Sequence, residues 1–540
     1  MPEIATVALP AGVVFTKPWI VEIILDLAGY TPEKRLFDAC AWEPSAGDGA
    51  FIRAMVRRLH DSCRKHRSNI EDATDALRAF EIDPESAAEA RSAVESELIE
   101  LGISGSVAAR LAASWVITGD FLEASLGFPV ADYVIGNPPY IRLEEIPADK
   151  AQVYRSAFRT MRGRSDLYVA FYEAALNQLK PGGCCAYICA DRWLLNDYGS
   201  SLRELVTGGF NVRYIVEAHD VAAFEADVSA YPAVTVITTG RQSTATIAKM
   251  LPGVETRDRG EVVGALKAGR SSETLRCATL DTWFSGDEPW PCSSPERLGI
   301  LRAIEARCIP LETETTGTRV GIGVATGADR VYITKDSGAA ERDRLLPLAM
   351  GEDLSGPCVN WSGNYLVNPW TAEGLVTLSD FPKMEAYLAD HGDLLRARRT
   401  ARDNPTKWHK TIDRVNLRLL SQPKLYIADI RGRLEPALDE GRTYPHHNVY
   451  WIISRDWDLR VLGGLLLSDV GEFFVRCYGV RMRGGYFRFQ AQYLRRICVP
   501  PPASISATAA KQLSDAFTKF DRAKASALAH TLYGINALPD

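Results

Sequence analysis

The sequence predicts an α/β protein with a parallel sheet in its first part and a mixed α+β region in its second. Between Leu36 and Thr239, short apolar runs alternate with helix-like segments, which is typical of parallel strands joined by right-handed helical crossovers. After about Gly240 the chain has glycine- and proline-punctuated segments, arginine-rich patches and many aromatic residues. We therefore expect two domains, 1–245 and 246–540.

The alternation begins with LFDACAWEP before FIRAMVRRLHDSC, and continues with LRAFEID before PESAAEARSAVESELIELG. The runs ASWVITGDF and DYVIGNPPY are the next two predicted strands, and LYVAFYEAALNQLKPGG leads into CCAYICADRWL. NVRYIVEAH and AVTVITTGR close the region as further predicted strands. Because ligands of such sheets bind at the carboxyl ends of the strands, site residues are expected where each run ends.

Composition describes a soluble globular protein and leaves its partner open. The 540 residues are 46% apolar and 24% charged, with a mean hydropathy of -0.10 and a net charge of -6. The average hides an asymmetry, since ten acidic and two basic residues lie between Glu71 and Glu100, but six arginines and one glutamate between Gly471 and Val499. The positive charge late in the chain is where a polyanion could bind.

Targeting and cysteine patterns favour a cytoplasmic protein. The N-terminus MPEIATVALPAGVV has an acidic residue where a signal peptide carries basic ones, and no apolar run reaches the roughly 18 residues of a membrane span. The 11 cysteines show neither a CxxC pair nor the Cys/His spacing of a zinc site, which fits reduced thiols. We expect no membrane partner and no metal.

Three turns at predicted strand ends carry small or acidic residues. EPSAGDGAF, from Glu43 to Phe51, lets the backbone approach a ligand closely and precedes a helix N-terminus with free N–H groups, yet it matches neither GxGxxG nor a P-loop. Glu81 ends the next run, where a carboxylate can accept hydrogen bonds from ribose hydroxyls. Asp120 beside Phe121 offers a carboxylate and an apolar ring to the edge and face of an adenine.

The fourth strand end, Asp132 to Tyr140, reads DYVIGNPPY. Its two prolines fix the backbone and remove two donors, so the Asn137 side-chain oxygen and the Pro138 carbonyl can face a ligand as acceptors. Two converging acceptors suit one planar NH2 group. Tyr140 then supplies a ring on which a flat base can stack.

With these residues in this order, the chain resembles the class I S-adenosylmethionine-dependent methyltransferases, and within them the TaqI-type enzymes that methylate N6 of adenine in double-stranded DNA. The resemblance covers nearly the whole chain. It implies a Rossmann-like parallel-sheet catalytic domain, a C-terminal target-recognition domain that binds DNA, and S-adenosyl-L-methionine as cofactor. The cofactor-binding residues that it implies are Thr16, Glu43, Pro44, Ser45, Gly47, Gly49, Phe51, Glu81, Ile82, Asp120, Phe121 and Asn137.

The resemblance also assigns roles. Glu43 and its turn would contact the methionine part of the cofactor, Glu81 the ribose, and Asp120 with Phe121 the adenine. The catalytic residues would be Asn137, Pro138, Pro139 and Tyr140. Tyr140 would stack on the flipped adenine, and Phe224 is our choice for the ring on its other face, with Tyr231 as an alternative.

The late region resembles the family's recognition domain over residues 320–333 and 483–490. The basic stretch RARRTARDNPTKWHKTIDRVNLR, from Arg396 to Arg418, interleaves Trp408 with cationic side chains, which favours phosphate contact. The residues expected to contact DNA are Arg396, Arg398, Arg399, Lys407, Trp408, Arg481, Arg483 and Arg488.

Two other functions stay open at this point. NPPY enzymes also methylate RNA amines and protein glutamines, and a methyltransferase fold can serve as a non-catalytic DNA-binding regulator. If the chain methylates DNA, it is expected to act as a monomer in a bacterial or archaeal cytoplasm. It would be either an orphan enzyme or the modification component of a type II restriction-modification system with a separate cognate endonuclease.

Overall fold

The computed structural model describes residues 14–128, 130–226, 231–292, 295–479 and 486–539. The chain divides into two compact units, Met1–Pro295 and Glu296–Asp540. We call them the first and the second unit. Among the described residues, no helix combines the length and apolar character needed to cross a membrane.

The described residues of the first unit contain one nine-stranded sheet in the order β3-β2-β1-β4-β5-β7-β6-β8-β9. The first five strands in this order run parallel to one another, whereas β7 runs antiparallel to both β5 and β6. The strands are β1 (Ala41–Glu43), β2 (Leu77–Glu81), β3 (Val116–Thr118), β4 (Ala131–Gly136), β5 (Leu179–Ala190), β6 (Phe210–Glu217), β7 (Pro232–Thr239), β8 (Ala245–Met250) and β9 (Leu275–Leu280).

Helices cover this sheet and form its core with it. The α-helices of the first unit are α1 (Pro18–Ala28), α2 (Ala50–His66), α3 (Pro84–Glu100), α4 (Gly105–Trp115), α5 (Phe121–Ala124), α6 (Ala148–Ala157), α7 (Tyr168–Asn177), α8 (Ser200–Gly209) and α9 (Arg259–Ala268). Helix α3 begins at Pro84, where the Asp83 side chain caps the helix by accepting the N–H of Ser86 at 2.8 Å.

The boundary between the units lies later than residue 245. We expected the sheet to end with AVTVITTGR, but β8 pairs in parallel with β6 and β9 pairs antiparallel with β8. Strand β8 buries most of its side chains, and Leu266 of α9 is fully buried against the same core. The apolar surface of these elements therefore belongs to the first unit, which continues to Pro295.

The second unit is a mixed α+β structure of short elements. Its strands are β10 (Ile309–Pro310), β11 (Arg319–Ile322), β12 (Ile333–Thr334), β13 (Leu345–Ala349), β14 (Tyr365–Val367), β15 (Lys424–Ala428), β16 (Ile430–Arg431), β17 (Ala437–Asp439), β18 (Tyr444–Pro445), β19 (Val449–Ile453), β20 (Phe487–Arg488) and β21 (Cys498–Val499). They form two four-stranded sheets, β11-β19-β15-β17 and β12-β14-β13-β18, and two pairs, β10-β21 and β16-β20, within the described residues.

The helices of this region pack beside the sheets and, late in the chain, against one another. They are α10 (Pro295–Glu305), α11 (Asp329–Tyr332), α12 (Pro382–Asp390), α13 (Gly392–Arg396), α14 (Arg399–Arg402), α15 (Leu417–Ser421), α16 (Leu459–Leu467), α17 (Asp469–Tyr478), α18 (Ala491–Leu494), α19 (Ala507–Thr518) and α20 (Arg522–Tyr533). Gly464 lets α16 approach α19, because a Cβ at this position would lie 2.6 Å from the Leu513 carbonyl oxygen.

A buried ion pair joins β15 to β17. Lys424 Nζ lies 2.8 Å from Asp439 Oδ2, and the two side chains are 0% and 2% exposed. Lys424 also donates to two backbone carbonyls, and Asp439 accepts from Gly441, Arg442 and Thr443. Burial lowers the pKa of the Lys424 amine although Asp439 opposes the shift. The pair is fully hydrogen-bonded, so removing one partner would leave a buried charge.

We predict that Lys424→Met destabilises the second unit by about 3 kcal/mol, because Asp439 loses its counter-ion in a dry environment. The melting temperature of that unit should fall by about 6–12 °C in a thermal scan of the full chain. Lys407→Met, at an exposed lysine, is the matched control and should leave the melting temperature nearly unchanged. Equal melting temperatures for both variants would contradict the proposed contribution of the pair.

Candidate active site

A cavity of about 380 Å³ lies at the carboxyl ends of β1, β2, β3 and β4 in the first unit. The ends of the four predicted strands therefore meet, as the parallel sheet requires. The cavity is lined by fourteen of the residues that the sequence singled out, namely Thr16, Glu43, Pro44, Ser45, Gly47, Phe51, Glu81, Ile82, Asp120, Phe121, Asn137, Pro138, Pro139 and Tyr140.

The turn after β1 is fastened to the end of β2. Glu81 accepts the backbone N–H of Gly47 at 2.9 Å through one carboxylate oxygen and that of Asp83 at 3.0 Å through the other. Gly47 and Gly49 have φ values of 51° and 83°, which favour glycine. Gly49 is not among the lining residues and instead forms the N-cap of α2. The two hydrogen bonds of Glu81 hold the turn after β1 against the end of β2, and we call this part of the cavity lining its floor.

Glu43 places a carboxyl group in this floor with little solvent around it. The residue is 1% exposed, and its Oε2 atom is buried without a hydrogen-bond partner among the described residues. Burial raises the pKa of the Glu43 carboxyl well above its usual range, and the nearby Asp48 and Glu81 carboxylates raise it further. A cationic donor beside the unpartnered Glu43 Oε2 atom would stabilise the ionised carboxylate and supply the missing hydrogen bond.

Asp120 lies at the opposite, aromatic side of the cavity. One of its oxygens accepts the N–H of Leu122 at 3.0 Å, and the other contacts Lys150 Nζ at 2.8 Å and accepts the Tyr154 hydroxyl. Lys150 and Tyr154 lie on α6, and sequence reasoning missed both because no motif places this helix beside Asp120. The Asp120 carboxylate is therefore oriented by three donors.

Apolar surface surrounds this carboxylate. Phe121 stacks on Phe171 with ring centroids 5.3 Å apart and an interplanar angle of 27°. Ile82 is 57% exposed although it lines the cavity, so it forms an apolar rim. Phe171 was also missed, since it comes from the middle of α7 with no turn signal beside it.

Asn137 follows β4 with a fixed amide. Its Nδ2 atom donates to the Val14 carbonyl at 2.8 Å and to Thr16 Oγ1 at 3.2 Å. Its Oδ1 atom is buried and has no hydrogen-bond partner among the described residues. Because the amide hydrogens are used internally, the group that Asn137 offers to a ligand is an acceptor.

Tyr140 is a half-buried ring on the same side. Its hydroxyl is buried without a partner among the described residues, and burial raises the pKa of Tyr140 well above its usual range. The ring meets Phe224 edge to face, with centroids 6.2 Å apart and an interplanar angle of 81°. This ring is neutral at any ordinary pH and offers an apolar face.

Phe224 does not form the second parallel face that we expected. It is 7% exposed, packs in the core and is not among the residues that line the cavity. It pairs with Thr16 in an isolated antiparallel bridge. Tyr231, the alternative, lies against the His219 ring with centroids 4.9 Å apart. In this arrangement the Phe224 ring does not face Tyr140 in parallel.

Comparisons with known proteins match this geometry. A family model described as Eco57I restriction-modification methylase matches residues 84–224, from α3 through NPPY to Phe224. The chain is 39% identical over 534 residues to the type II methyltransferase M.XhoI of Xanthomonas vasicola, with 97% of each chain covered. The chain belongs to the type II methyltransferases.

Another type II methyltransferase, M.PaeR7I of Pseudomonas aeruginosa, is 39% identical to this one over 531 residues, covering 97% of this chain and 92% of the relative. Among solved structures, the type IIL restriction-modification enzyme MmeI in complex with DNA has a TM-score of 0.60 at 12% identity, covering 97% of this chain and 74% of that one. The similarity confirms the expected class I fold.

The methyl donor of this type II methyltransferase is S-adenosyl-L-methionine, and the cavity fits it. Six acidic residues line a space that also has an aromatic and aliphatic side, namely Glu43, Asp48, Glu81, Asp83, Glu89 and Asp120. S-Adenosylmethionine carries an ammonium and a sulfonium beside a flat base and a ribose. The unpartnered Glu43 Oε2 atom suits the ammonium group, and the Phe121 and Ile82 side suits the base.

The residues of the second unit expected to contact DNA are either exposed, already bonded within the protein, or outside the described residues. Arg396, Arg399 and Lys407 are exposed, and the Arg396 guanidinium lies 4.2 Å from the centroid of the half-buried Trp408 ring. Arg398 differs, because its guanidinium donates to backbone carbonyls of Thr326, Leu395, Trp408 and Lys410. Arg488 is paired with Asp429, and Arg481 and Arg483 lie outside the described residues.

Arg398 and Arg488 therefore correct the simple interpretation of a basic run. The guanidinium donors of Arg398 that could contact a phosphate are already bonded to carbonyls of its own loop. The charge of Arg488 is balanced by the Asp429 carboxylate. Sequence spacing cannot show this, since Thr326 and Asp429 are each about sixty or more positions away from their arginine. Arg396, Arg399 and Lys407 are exposed, and the Arg399 guanidinium also lies 3.9 Å from the exposed Asp403 carboxylate.

We predict that cofactor binding releases a proton from Glu43. Burial raises the pKa of Glu43 and so favours its protonated form in the free enzyme, whereas the ammonium of the cofactor favours the ionised form, so affinity should rise with pH until the free carboxyl ionises. Calorimetry in two buffers of different ionisation enthalpy measures the proton released. Glu43→Gln should abolish this release, and Glu89→Gln, at an exposed glutamate of the same cavity, should retain it. Identical proton release by the enzyme and Glu43→Gln would contradict the assignment.

Proposed function

We propose that this type II methyltransferase transfers a methyl group to N6 of an adenine in a specific sequence of double-stranded DNA. The observation that carries the proposal is the buried Asn137 Oδ1 acceptor, whose amide is fixed by Val14 and Thr16. An acceptor in this position suits an exocyclic NH2 group. The next residues, Pro138 and Pro139, add no N–H donors, so the Pro138 carbonyl can serve as a second acceptor.

The target base must leave the helix to reach this position. N6 of a stacked adenine is inaccessible, and extruding the nucleotide costs a few kcal/mol. The Tyr140 ring, neutral and half-buried, offers a new stacking surface worth about 1–3 kcal/mol. Phe224 would cover the other face only if its ring rearranged when the base enters, because it now meets Tyr140 edge to face, and Tyr231 stays the alternative.

Methyl transfer then depends on how the protein positions the adenine amino group. When bound, S-adenosylmethionine supplies an electrophilic methyl group on sulfur. Asn137 Oδ1 and the Pro138 carbonyl would accept the two N–H hydrogens, which favours a more pyramidal adenine nitrogen whose lone pair is directed at that methyl group. Asn137 cannot act as a base at neutral pH, so the proton leaves to solvent or a relay after transfer.

The two units would divide the work. We assign the cofactor, the target base and catalysis to the first unit, and DNA recognition to the second, where the exposed Arg396, Arg399 and Lys407 side chains can neutralise phosphates. The relatives that match over nearly their full length are named type II methyltransferases, which supports the role of a modification enzyme with a separate endonuclease.

A side-by-side transfer assay tests the substrate class. The purified chain is incubated with labelled S-adenosylmethionine and, in parallel, with double-stranded DNA, structured RNA and a protein extract. Label in DNA alone is expected. Label in RNA or protein but not in DNA would favour an RNA or protein-glutamine methyltransferase, and no label in any substrate would favour a non-catalytic DNA-binding protein.

We predict that Asn137→Ala lowers methyl transfer by about 100-fold or more, because the fixed acceptor for the amino group is lost. Cofactor affinity, measured by calorimetry on the same variant, should persist, since the Glu43 and Asp120 sides of the cavity are unchanged. Turnover near that of the unsubstituted enzyme would exclude Asn137 from the mechanism.

A matched pair at Tyr140 separates stacking from hydrogen bonding. Tyr140→Ala should lower transfer by about 5- to 150-fold, because the face that receives the base is removed. Tyr140→Phe keeps that face and removes only a hydroxyl without a partner among the described residues, so it should lose far less activity. Single-turnover rates measure both, and equal losses in the two variants would contradict a stacking role.

A further inference from the structure

The second unit contains a cluster of metal-binding side chains that the methyltransferase mechanism does not use. One carboxylate oxygen of Asp329 and one ring nitrogen each of His446 and His447 all lie within 4.8 Å of one another. Asp329 is the first residue of α11, and the histidines connect β18 to β19. The cluster therefore joins two segments more than a hundred residues apart in the chain.

The hydrogen bonds of His446 leave one ring nitrogen directed at the centre of this cluster. His446 is 3% exposed, and its Nδ1 lies 2.7 Å from the amide oxygen of Asn448, an acceptor that places the ring proton on Nδ1. In the neutral ring Nε2 then carries a lone pair, and it faces Asp329 Oδ2 at 3.1 Å. Two facing lone pairs repel unless a cation lies between or beside them.

The carboxylate is oriented in the same way. Thr326 Oγ1 donates to Asp329 Oδ1 at 2.5 Å, which leaves Oδ2 for the histidines. His447 Nδ1 lies 3.9 Å from Oδ2, and the His447 ring lies 4.0 Å from the ring of His446, centroid to centroid. Consecutive residues of an extended chain point to opposite sides, so the shared direction of these rings is a specific feature of this loop.

A simple ion pair accounts for only part of this arrangement. A protonated His446 would balance Asp329, but a second imidazole next to it would then add nothing and, if charged, would repel the first. A metal ion uses both rings. For metal–ligand bonds of about 2.0–2.1 Å in a tetrahedral site, the ligand atoms lie about 3.3 Å apart, and the observed 3.1 and 3.9 Å bracket that separation.

We propose that the second unit binds one Zn²⁺ ion through His446 Nε2, His447 Nδ1 and Asp329 Oδ2. Imidazole nitrogens with a carboxylate oxygen are ligands suited to Zn²⁺, whereas Mg²⁺ prefers oxygen alone. Asn448 fixes the His446 ring from behind, as outer partners of metal-bound histidines do. Asp329 and His447 are 43% and 46% exposed, so the ion can enter from solvent and a fourth ligand can bind.

The ion would fasten the loop that supports the basic stretch. The segment ahead of Asp329 donates from the Ala325 N–H to Asp413 at 2.8 Å, and its Thr326 carbonyl accepts from Arg398 at 3.1 Å. On the other side, Val324 pairs with His446. Gly323 permits this approach, because a Cβ there would lie 2.2 Å from the His446 carbonyl oxygen. A metal ion at this site would therefore hold the loop between β18 and β19 close to the segment that contacts the basic stretch.

Sequence reasoning excluded a metal because it sought Cys/His spacings. The pair His446-His447 has no such spacing, and Asp329 is not near it in the chain. The proposal is independent of methyl transfer, since neither the cofactor cavity nor Asn137 takes part in it. Metal binding is therefore measured without cofactor or DNA, and its failure would leave the proposed methyltransferase function untouched.

The test is a titration of the untagged full chain, first treated with a chelator, with Zn²⁺ against a chromophoric competitor. Cobalt(II) titration in parallel reports tetrahedral coordination by its visible absorption. We expect one equivalent of Zn²⁺ per chain. His447→Ala should weaken binding at least about tenfold, and Asn448→Ala by about 10- to 100-fold, the usual cost of removing an outer-shell partner.

His530→Ala is the matched control. His530 also lies beside a carboxylate in the second unit, with Nε2 3.0 Å from Asp469 Oδ2, but it belongs to no group of three metal-binding side chains within the described residues. It should bind Zn²⁺ as the unsubstituted chain does. Because His447 is exposed, its substitution should leave the unit folded, which circular dichroism checks. No bound equivalent, or equal affinity for the unsubstituted chain and His447→Ala, would overturn the proposal and leave an ion pair only.

Discussion

The candidate active site depends on one constraint: the side-chain amide of Asn137 donates its hydrogens to other residues of the same chain. Asn137 donates to Val14 and Thr16, and the segment that supplies these acceptors is itself held by an isolated antiparallel bridge between Thr16 and Phe224. The Lys17 N–H donates to the Ala223 carbonyl at 3.0 Å, and the Glu225 N–H donates to the Phe15 carbonyl at 3.0 Å. The end of β4 therefore presents an acceptor because two distant segments fix the other side of the amide.

Three buried polar atoms without partners among the described residues belong to residues that line the same cavity. They are Glu43 Oε2, Asn137 Oδ1 and the Tyr140 hydroxyl. An unsatisfied buried group costs about 1–3 kcal/mol, so three of them in one cavity indicate that a bound ligand or water satisfies them. The three atoms differ chemically: under the proposed function the Glu43 carboxyl group would face the cationic cofactor, and the Asn137 acceptor beside the Tyr140 ring would face the amino-bearing base.

Much of the fold and of the site could be predicted from the sequence, because both depend on local patterns. Alternating apolar runs and helices predict the parallel strands, and the turn after each strand then predicts which side chains meet at one edge. The fold class is confirmed, and EPSAGDGAF, FEID, GDF and NPPY do surround one cavity. What the residues do there remains a proposal that the variants at Glu43, Asn137 and Tyr140 test.

The features that sequence missed depend on contacts between distant segments. The domain boundary lies later than the predicted residue 245 because β8 and β9 pair with the sheet of the first unit, and no local sequence pattern indicates the strand order of that sheet. Lys150 and Tyr154 reach Asp120 across about thirty positions, and Arg398 uses its donors on its own loop. The orientation of Phe224 follows from its bridge to Thr16, which a motif cannot indicate.

The identity of the modified nucleoside shows whether Asn137 and Pro138 receive the amino group of an adenine. Double-stranded DNA is incubated with the enzyme and S-adenosylmethionine carrying a deuterated methyl group, digested to nucleosides and analysed by mass spectrometry. A fixed neutral acceptor pair beside an apolar ring predicts deuterated N6-methyladenine as the product, confined to adenines of one short sequence. Deuterated methyl on cytosine, or on adenines irrespective of sequence, would contradict the account.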